Sequence, residues 1–330
     1  MGTPILRDAV LRTAPQDEDG EWRLPEIPII LTLRQAARKA TAMSMARRSP
    51  SAADGVSGAA PDPLGRLLSA NRPIVMGILN VTPDSFSDGG RFQDPARAIA
   101  QARAMAEAGA DIIDIGAEST RPYPGMTPVS LEEEMARLEP VLPAIVKLGL
   151  PVSIDTIKAG IAAWALDQGA AILNDVWGLQ RDPGMARVAA EHGVPLIIMH
   201  NRAEADPAID IVADIAAFFA RSLDIAARAG VARDAIVLDP GIGFGKTPEQ
   251  SITAIARLDA FKSFGLPILV GASRKRFINT VIAAKPDQRL PGSLAAHLLA
   301  VENGAAIIRA HDVAETVQAL RVHAAIRSAR

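Results

Sequence analysis

Eight short apolar runs in this 330-residue chain each stop at a polar or charged residue. The runs span 74–79, 112–115, 151–154, 170–173, 195–199, 236–238, 267–270 and 305–308. They end at Asn80, at 118–121 just past Gly116, and at Asp155, Asn174, His200, Asp239, Ser273 and Arg309. Ala-rich stretches with helical spacing separate them. Strands alternating with helices imply a parallel sheet, and eight such units predict a closed α/β barrel of the (β/α)8 TIM type. In that barrel every strand's C-terminal end opens on one face. Residues distant in sequence therefore converge on one pocket.

The barrel is expected over 72–330, which is 259 residues, close to the roughly 250 that such a barrel takes as a single domain. Helices are expected at 94–108, 130–138, 158–168, 185–192, 211–229, 247–264, 293–303 and 313–328, most of them followed by Gly. Residues 1–71 read as an N-terminal extension and linker, poorly ordered. They hold an acidic cluster at Asp17, Glu18, Asp19 and Glu21, an Arg-bearing helical stretch and a Ser/Gly/Pro-rich segment. The Arg-bearing stretch has the composition of an organelle transit peptide. The acidic residues ahead of it favour a plain tail or an unused upstream start. The formal charge of −2 gives no support for nucleic-acid or anionic-membrane binding. No run of about 18 apolar residues predicts a membrane span. The chain has no Cys, which excludes disulfides and thiolate chemistry and is compatible with a cytoplasmic location.

The first strand runs into a small, polar, turn-rich segment, Gly77-Ile-Leu-Asn-Val-Thr-Pro-Asp-Ser-Phe-Ser-Asp-Gly-Gly90. It closely resembles the N-terminal motif of the dihydropteroate synthase family. The resemblance continues through Glu118-Ser-Thr-Arg-Pro122, Ser153-Ile-Asp155, Asn174-Asp175, Asp239-Pro-Gly-Ile-Gly-Phe-Gly-Lys246, Ser273-Arg-Lys275 and Arg309-Ala-His-Asp312, in the family's order. It implies a transferase of folate biosynthesis and a sulfonamide target. The family condenses a dihydropterin pyrophosphate with 4-aminobenzoate, giving dihydropteroate and pyrophosphate. It also implies a cytoplasmic homodimer and Mg²⁺ as cofactor.

The resemblance assigns roles residue by residue. Asn80 would offer an amide oxygen to Mg²⁺ carried on pyrophosphate, with Arg309 and His311 holding that group. Asp155, Asn174, Asp239 and Lys275 would meet the pterin edge, with Met199 and Phe244 beside its ring. Phe86, Thr120, Arg121, Pro122 and Ser273 would hold 4-aminobenzoate. Asp155, Asp239, Lys275, Arg309 and His311 would form the catalytic set. Arg274 would point outward. The Gly241–Lys246 run fails as a P-loop because Pro240 stands where the first Gly belongs. Its glycines are expected to let the backbone pass close to the pterin, with Phe244 or Lys246 near. Tyr123-Pro124 departs from the family pattern in the aminobenzoate loop. The rival readings are a pterin-binding methyltransferase domain and a non-catalytic paralogue. The first has no use for Arg309-Ala-His311, and the second should have lost Asn80 or Lys275.

Overall fold

Alternate residues of a strand point to opposite faces even when both faces are buried and the whole strand is apolar. That alternation organises the molecule. The computed structural model describes residues 63–82, 95–118 and 129–329. Among them eight strands pair in parallel: β1 (Ile74–Asn80), β2 (Ile112–Gly116), β3 (Val152–Asp155), β4 (Ile172–Asp175), β5 (Leu196–Met199), β6 (Ile236–Asp239), β7 (Leu269–Val270) and β8 (Ile307–Ala310). Their spatial order is β6-β5-β4-β3-β2-β1-β8-β7. A parallel bridge between Leu238 and Ile268 brings β6 to β7 and all but closes the ring. The expected barrel is the observed one.

Ile74, Met76, Ile112, Ile172, Ile197, Val237, Leu269 and Ile307 pack into one cluster inside the barrel. Their outward neighbours, such as Val75, Ile113 and Ile308, join a larger core beneath the helices. A short helix, α1 (Pro63–Leu68), adds Leu64 to the inner cluster, with Leu67 and Leu68 packed against it. It closes the end of the barrel opposite the strands' C-termini. This helix lies ahead of residue 72, within the stretch read from sequence as extension. It belongs to the compact unit Ala59–Arg330. The expectations for residues 1–62 lie outside the described residues.

The helical layer comprises α2 (Pro95–Glu107), α3 (Leu131–Leu138), α4 (Leu142–Val146), α5 (Ala159–Asp167), α6 (Met185–His192), α7 (Ile211–Ala229), α8 (Pro248–Ala256), α9 (Arg276–Val281), α10 (Leu290–Glu302) and α11 (Val313–Ser328). Local chemistry explains their ends. The Asp210 carboxylate accepts from the Val212 and Ala213 N–H groups at the start of α7. Gly230 ends it at φ 86°, which suits glycine. The buried stripe Ile211, Ile215, Phe218, Phe219, Ser222 and Ala226 has helical spacing. Phe219 lies edge-on to Phe261 and Phe264, with centroids at 5.6 and 5.8 Å. Truncating it would cost about 3–5 kcal/mol.

Four expectations shift, and the short helices α4 and α9 are additional to those expected. The strand placed at 170–173 is β4 at Ile172–Asp175, which puts Asn174 inside the strand. The helix placed at 247–264 is α8 followed by a 3-10 segment, Leu258–Phe264. The helix placed at 293–303 begins at Leu290, because Pro291 fits a first turn that needs no N–H from it. The strand placed at 305–308 is β8 at Ile307–Ala310. The Ala306 and Ile307 N–H groups both donate to the Ile268 carbonyl and set that register. Arg309 is therefore in the strand and points into the barrel, rather than lying in the turn after it.

Candidate active site

Two residues beyond the inner cluster, the inward side chains change character. Ile112, Ile172, Ile197, Val237 and Ile307 give way to Asp114, Asn174, Met199, Asp239 and Arg309. Asp155 joins them because it pairs in register with Gly116 and Asn174. The strands' parity thus builds a polar floor on an apolar plug.

Arg309 is the hub. Its Nε donates to Asp114 Oδ2 at 2.6 Å, and its Nη2 reaches the same oxygen at 2.6 Å. Nη2 also donates to Asp155 Oδ2 at 2.8 Å. Burial alone would weaken the guanidinium, but the charges of Asp114 and Asp155 outweigh it and the net shift is upward. One cation does not compensate all the carboxylates here. Burial pushes Asp155 up to about 7 against the pull of Arg309, and Asp114 and Glu134 add to the rise.

Three buried side-chain oxygens facing the barrel interior have no hydrogen-bond partner among the described residues: Ser153 Oγ, level with Asp114, and two acceptors nearer the mouth. Asp155 Oδ1 and Asn174 Oδ1 are buried and make no hydrogen bond. Such atoms are costly unless a ligand satisfies them. The Asn174 amide nitrogen is spoken for, at 3.2 Å from Asp114 Oδ2 and 3.4 Å from Oδ1. Across the mouth, Asp239 Oδ1 accepts from the Gly241 N–H at 2.7 Å. Burial raises the Asp239 carboxyl to about 6, offset by that hydrogen bond and by Lys275 and Arg309. The Lys275 ammonium sits 3.9 Å from the Phe244 ring centre, a cation–π contact. Val176, Met199 and Phe244 form a small apolar patch with Ile157 and Trp177 against it. Buried acceptors, one cation and an apolar plate suit a planar heterocycle rich in N–H groups.

On the β8 side, His311 Nδ1 lies 3.0 Å from Ser273 Oγ, and the His311 N–H donates to that oxygen at 3.2 Å. Asn80 ends β1 and is exposed. The described residues hold no group of three or more His, Asp or Glu side chains able to cage a metal. A single amide oxygen at a strand end fits Mg²⁺ that arrives on phosphate oxygens and keeps its waters. Phe86, Thr120, Arg121, Pro122 and Tyr123-Pro124 lie outside the described residues.

One sequence expectation is decided, others gain detail, and one residue is new. Of Phe244 and Lys246, Phe244 lies at the apolar patch. Lys246 does not face the pocket. Its ammonium is buried, 2.6 Å from His200 Nδ1, and donates to the Gly241 and Phe244 carbonyls at 2.9 and 3.1 Å. Burial draws it down to about 7. The glycine at 241 is also required by packing. It has φ 65°, and a Cβ there would stand 1.9 Å from the His200 carbonyl oxygen. Arg274 is partly exposed and paired with Asp312; its Nε donates to Asp312 Oδ2 at 3.0 Å. Glu118 accepts from the Val129 N–H at 3.1 Å and from Lys158 at 2.5 Å, so it ties together the two flanks of residues 119–128. The new residue is Asp114. Its signal in the sequence is a carboxylate inside an apolar run, two positions before Gly116.

A model of the "Pterin binding enzyme" family matches residues 76–311. A dihydropteroate synthase of Bacillus subtilis is 48% identical over 243 residues, 73% of this chain and 84% of that one. This chain belongs to the dihydropteroate synthase family. Solved dihydropteroate synthases share its fold. One from Xanthomonas albilineans, with 4-aminobenzoic acid, has a TM-score of 0.75 and 43% identity, covering 78% of this chain and 94% of that one. A dihydropteroate synthase from the same organism in complex with 7,8-dihydropteroate has a TM-score of 0.72 and 41% identity, covering 78% and 95%. Family membership makes this chain a transferase of folate synthesis.

Proposed function

We propose that this chain condenses 6-hydroxymethyl-7,8-dihydropterin pyrophosphate with 4-aminobenzoate to give 7,8-dihydropteroate and pyrophosphate. The observation that carries this reading is the pair of buried, unpartnered acceptors, Asp155 Oδ1 and Asn174 Oδ1. A pterin edge presents an amino group and ring N–H groups that match them. Family membership and the complexes of the Xanthomonas albilineans enzyme with 4-aminobenzoic acid and 7,8-dihydropteroate point the same way.

The bond between the pterin methylene carbon and the pyrophosphate oxygen breaks, and its electron pair leaves with pyrophosphate. The pterin ring spreads the resulting positive charge. The amine of 4-aminobenzoate then attacks the methylene carbon, forms the C–N bond and loses a proton. No protein nucleophile is required. Asp155 and Asp239 favour the cationic pterin, and Lys275 over Phe244 fixes one ring edge. Arg309 and His311 draw the leaving group toward β8. This is catalysis by positioning and charge stabilisation. Asn80 would hold Mg²⁺, which when bound supplies positive charge to the pyrophosphate oxygens. Ser273, with Phe86, Thr120, Arg121 and Pro122, would receive 4-aminobenzoate.

The enzyme would act as a cytoplasmic homodimer. Exposed Ile252, Leu299, Val322 and Ile326 on α8, α10 and α11 offer apolar surface for a second copy. Among the described residues no helix is long and apolar enough to cross a membrane.

The test supplies both substrates with Mg²⁺ or with a chelator. Equal amounts of dihydropteroate and pyrophosphate, falling on chelation, are expected. Absence of dihydropteroate under every condition would overturn the reading.

A further inference from the structure

We infer that Asp114 is a positioning residue that dictates which group of the Asn174 amide faces the pterin. An Asn side chain can turn either its oxygen or its nitrogen to a ligand, and its neighbours decide which. Asp114 is fully buried and paired with the Arg309 guanidinium, so it faces Asn174 as an acceptor. It takes the Asn174 Nδ2 hydrogens at 3.2 and 3.4 Å, which leaves Asn174 Oδ1 buried and unpartnered in the floor. With Asp155 Oδ1 it forms a set of acceptors only, selective for a ligand edge made of donors. The inference rests on the pterin reading of this site.

The two jobs overlap on one carboxylate: Oδ2 takes Arg309 and the nearer Asn174 contact at 3.2 Å, while Oδ1 faces Asn174 alone at 3.4 Å. Arg309 Nε and Nη2 both use Asp114 Oδ2. Asp114→Asn can keep that arm through its single oxygen. The amide nitrogen introduced in place of Asp114 Oδ1 stands 3.4 Å from the Asn174 nitrogen and can only donate, so a donor faces a donor. The remaining oxygen already accepts twice from Arg309, so the arrangement favours Asn174 turning to offer its oxygen to that nitrogen. Its own amide nitrogen now faces the ligand, and a donor meets a donor. The reciprocal exchange, Asp114→Asn with Asn174→Asp, restores an oxygen toward the ligand and keeps the number of carboxylates.

The experiment titrates pterin-6-carboxylate, and separately lumazine, which carries a carbonyl in place of the 2-amino group. Wild type, Asp114→Asn and the exchange variant are compared, with folding checked by circular dichroism. Wild type is expected to prefer the pterin. Asp114→Asn should bind pterin on the order of tenfold to hundredfold more weakly and narrow the pterin-to-lumazine ratio, because a buried polar group is left mismatched. The exchange variant should recover most of that loss. A role confined to stability would weaken both ligands alike and would not be rescued. Unchanged pterin affinity and ratio in folded Asp114→Asn would overturn the inference. If Asp114→Asn does not fold, the exchange variant decides: near wild-type affinity supports the inference, and a loss beyond about tenfold overturns it. Wild type that binds no pterin would sink the pterin reading itself, a different failure.

Discussion

Arg309 on β8 and Asp155 on β3, 154 positions apart, meet inside the barrel through an Nη2–Oδ2 hydrogen bond of 2.8 Å. Arg309 also holds Asp114 on β2, so one guanidinium joins three strands at the level of the pterin site. The residue assigned to the leaving group is thus also the counter-charge of the pocket floor.

Arg309→Ala should damage binding as well as turnover. Removing the cation leaves two buried carboxylates uncompensated, a loss of about 3–5 kcal/mol. Thermal unfolding should fall by roughly ten degrees, and pterin affinity should fall with it. Arg309→Lys should recover only part, since an ammonium cannot reproduce the fork. Calorimetric titration alongside thermal melts checks this. A variant with native stability and native pterin affinity would contradict the shared role.

Pterin affinity should depend on pH near neutrality. Asp155 is pushed up to about 7 and Asp239 to about 6 by burial. The ionised forms are the better acceptors for a donor edge. Affinity should therefore decline as pH falls through about 7 and again through about 6. Asp155→Asn should remove the upper step. Fluorescence titration across this range gives the profile, and a flat wild-type curve counts against the assignment.

Much of this site is legible in the sequence because barrel geometry is periodic. A polar residue at the end of an apolar run points inward or outward by parity alone, which places Asp155, Asn174 and Asp239. Arg309 is recognisable, but its partners are not. Its neighbours are fixed by the register of β8 against β1, where Met76 pairs with Arg309. No local pattern encodes that register. Asp114 escapes notice because it stands inside the apolar run rather than at its end. The direction of Lys246 depends on His200, 46 positions away, so sequence spacing misplaces it. The helix α1 is too short to show a helical period and directly follows the Ser/Gly/Pro-rich linker stretch, so it reads as part of the extension.

Lys246 should make stability depend on pH in the alkaline range. Its folded pKa is about 7, below the value of about 10.4 for a free lysine. Between those values the unfolded chain binds more protons than the folded one, so stability rises with pH across that window. Below the folded pKa the lysine is charged in both states and its contribution no longer changes. Lys246→Met should lack the rise. Denaturant unfolding of both proteins at about pH 7 and about pH 9 measures the difference. A gain smaller in wild type than in the variant would contradict it.

Gly241→Ala should unfold the loop after β6 rather than alter chemistry alone. A methyl group there meets the His200 backbone oxygen at 1.9 Å, with φ at 65°. The left-handed conformation alone costs about 1–2 kcal/mol, and the clash adds to it. Faster amide exchange over Gly241–Lys246 with a lower melting temperature is the expected outcome. Unchanged exchange would show that the loop accommodates the methyl.

The most direct measurement is a crystal structure of this chain with a bound pterin. Asp155 Oδ1 and Asn174 Oδ1 should each accept a hydrogen bond from the ligand, with its ring beside Met199 and Phe244. A pterin bound elsewhere, or one seated here while both oxygens stay unpartnered, would contradict the assignment.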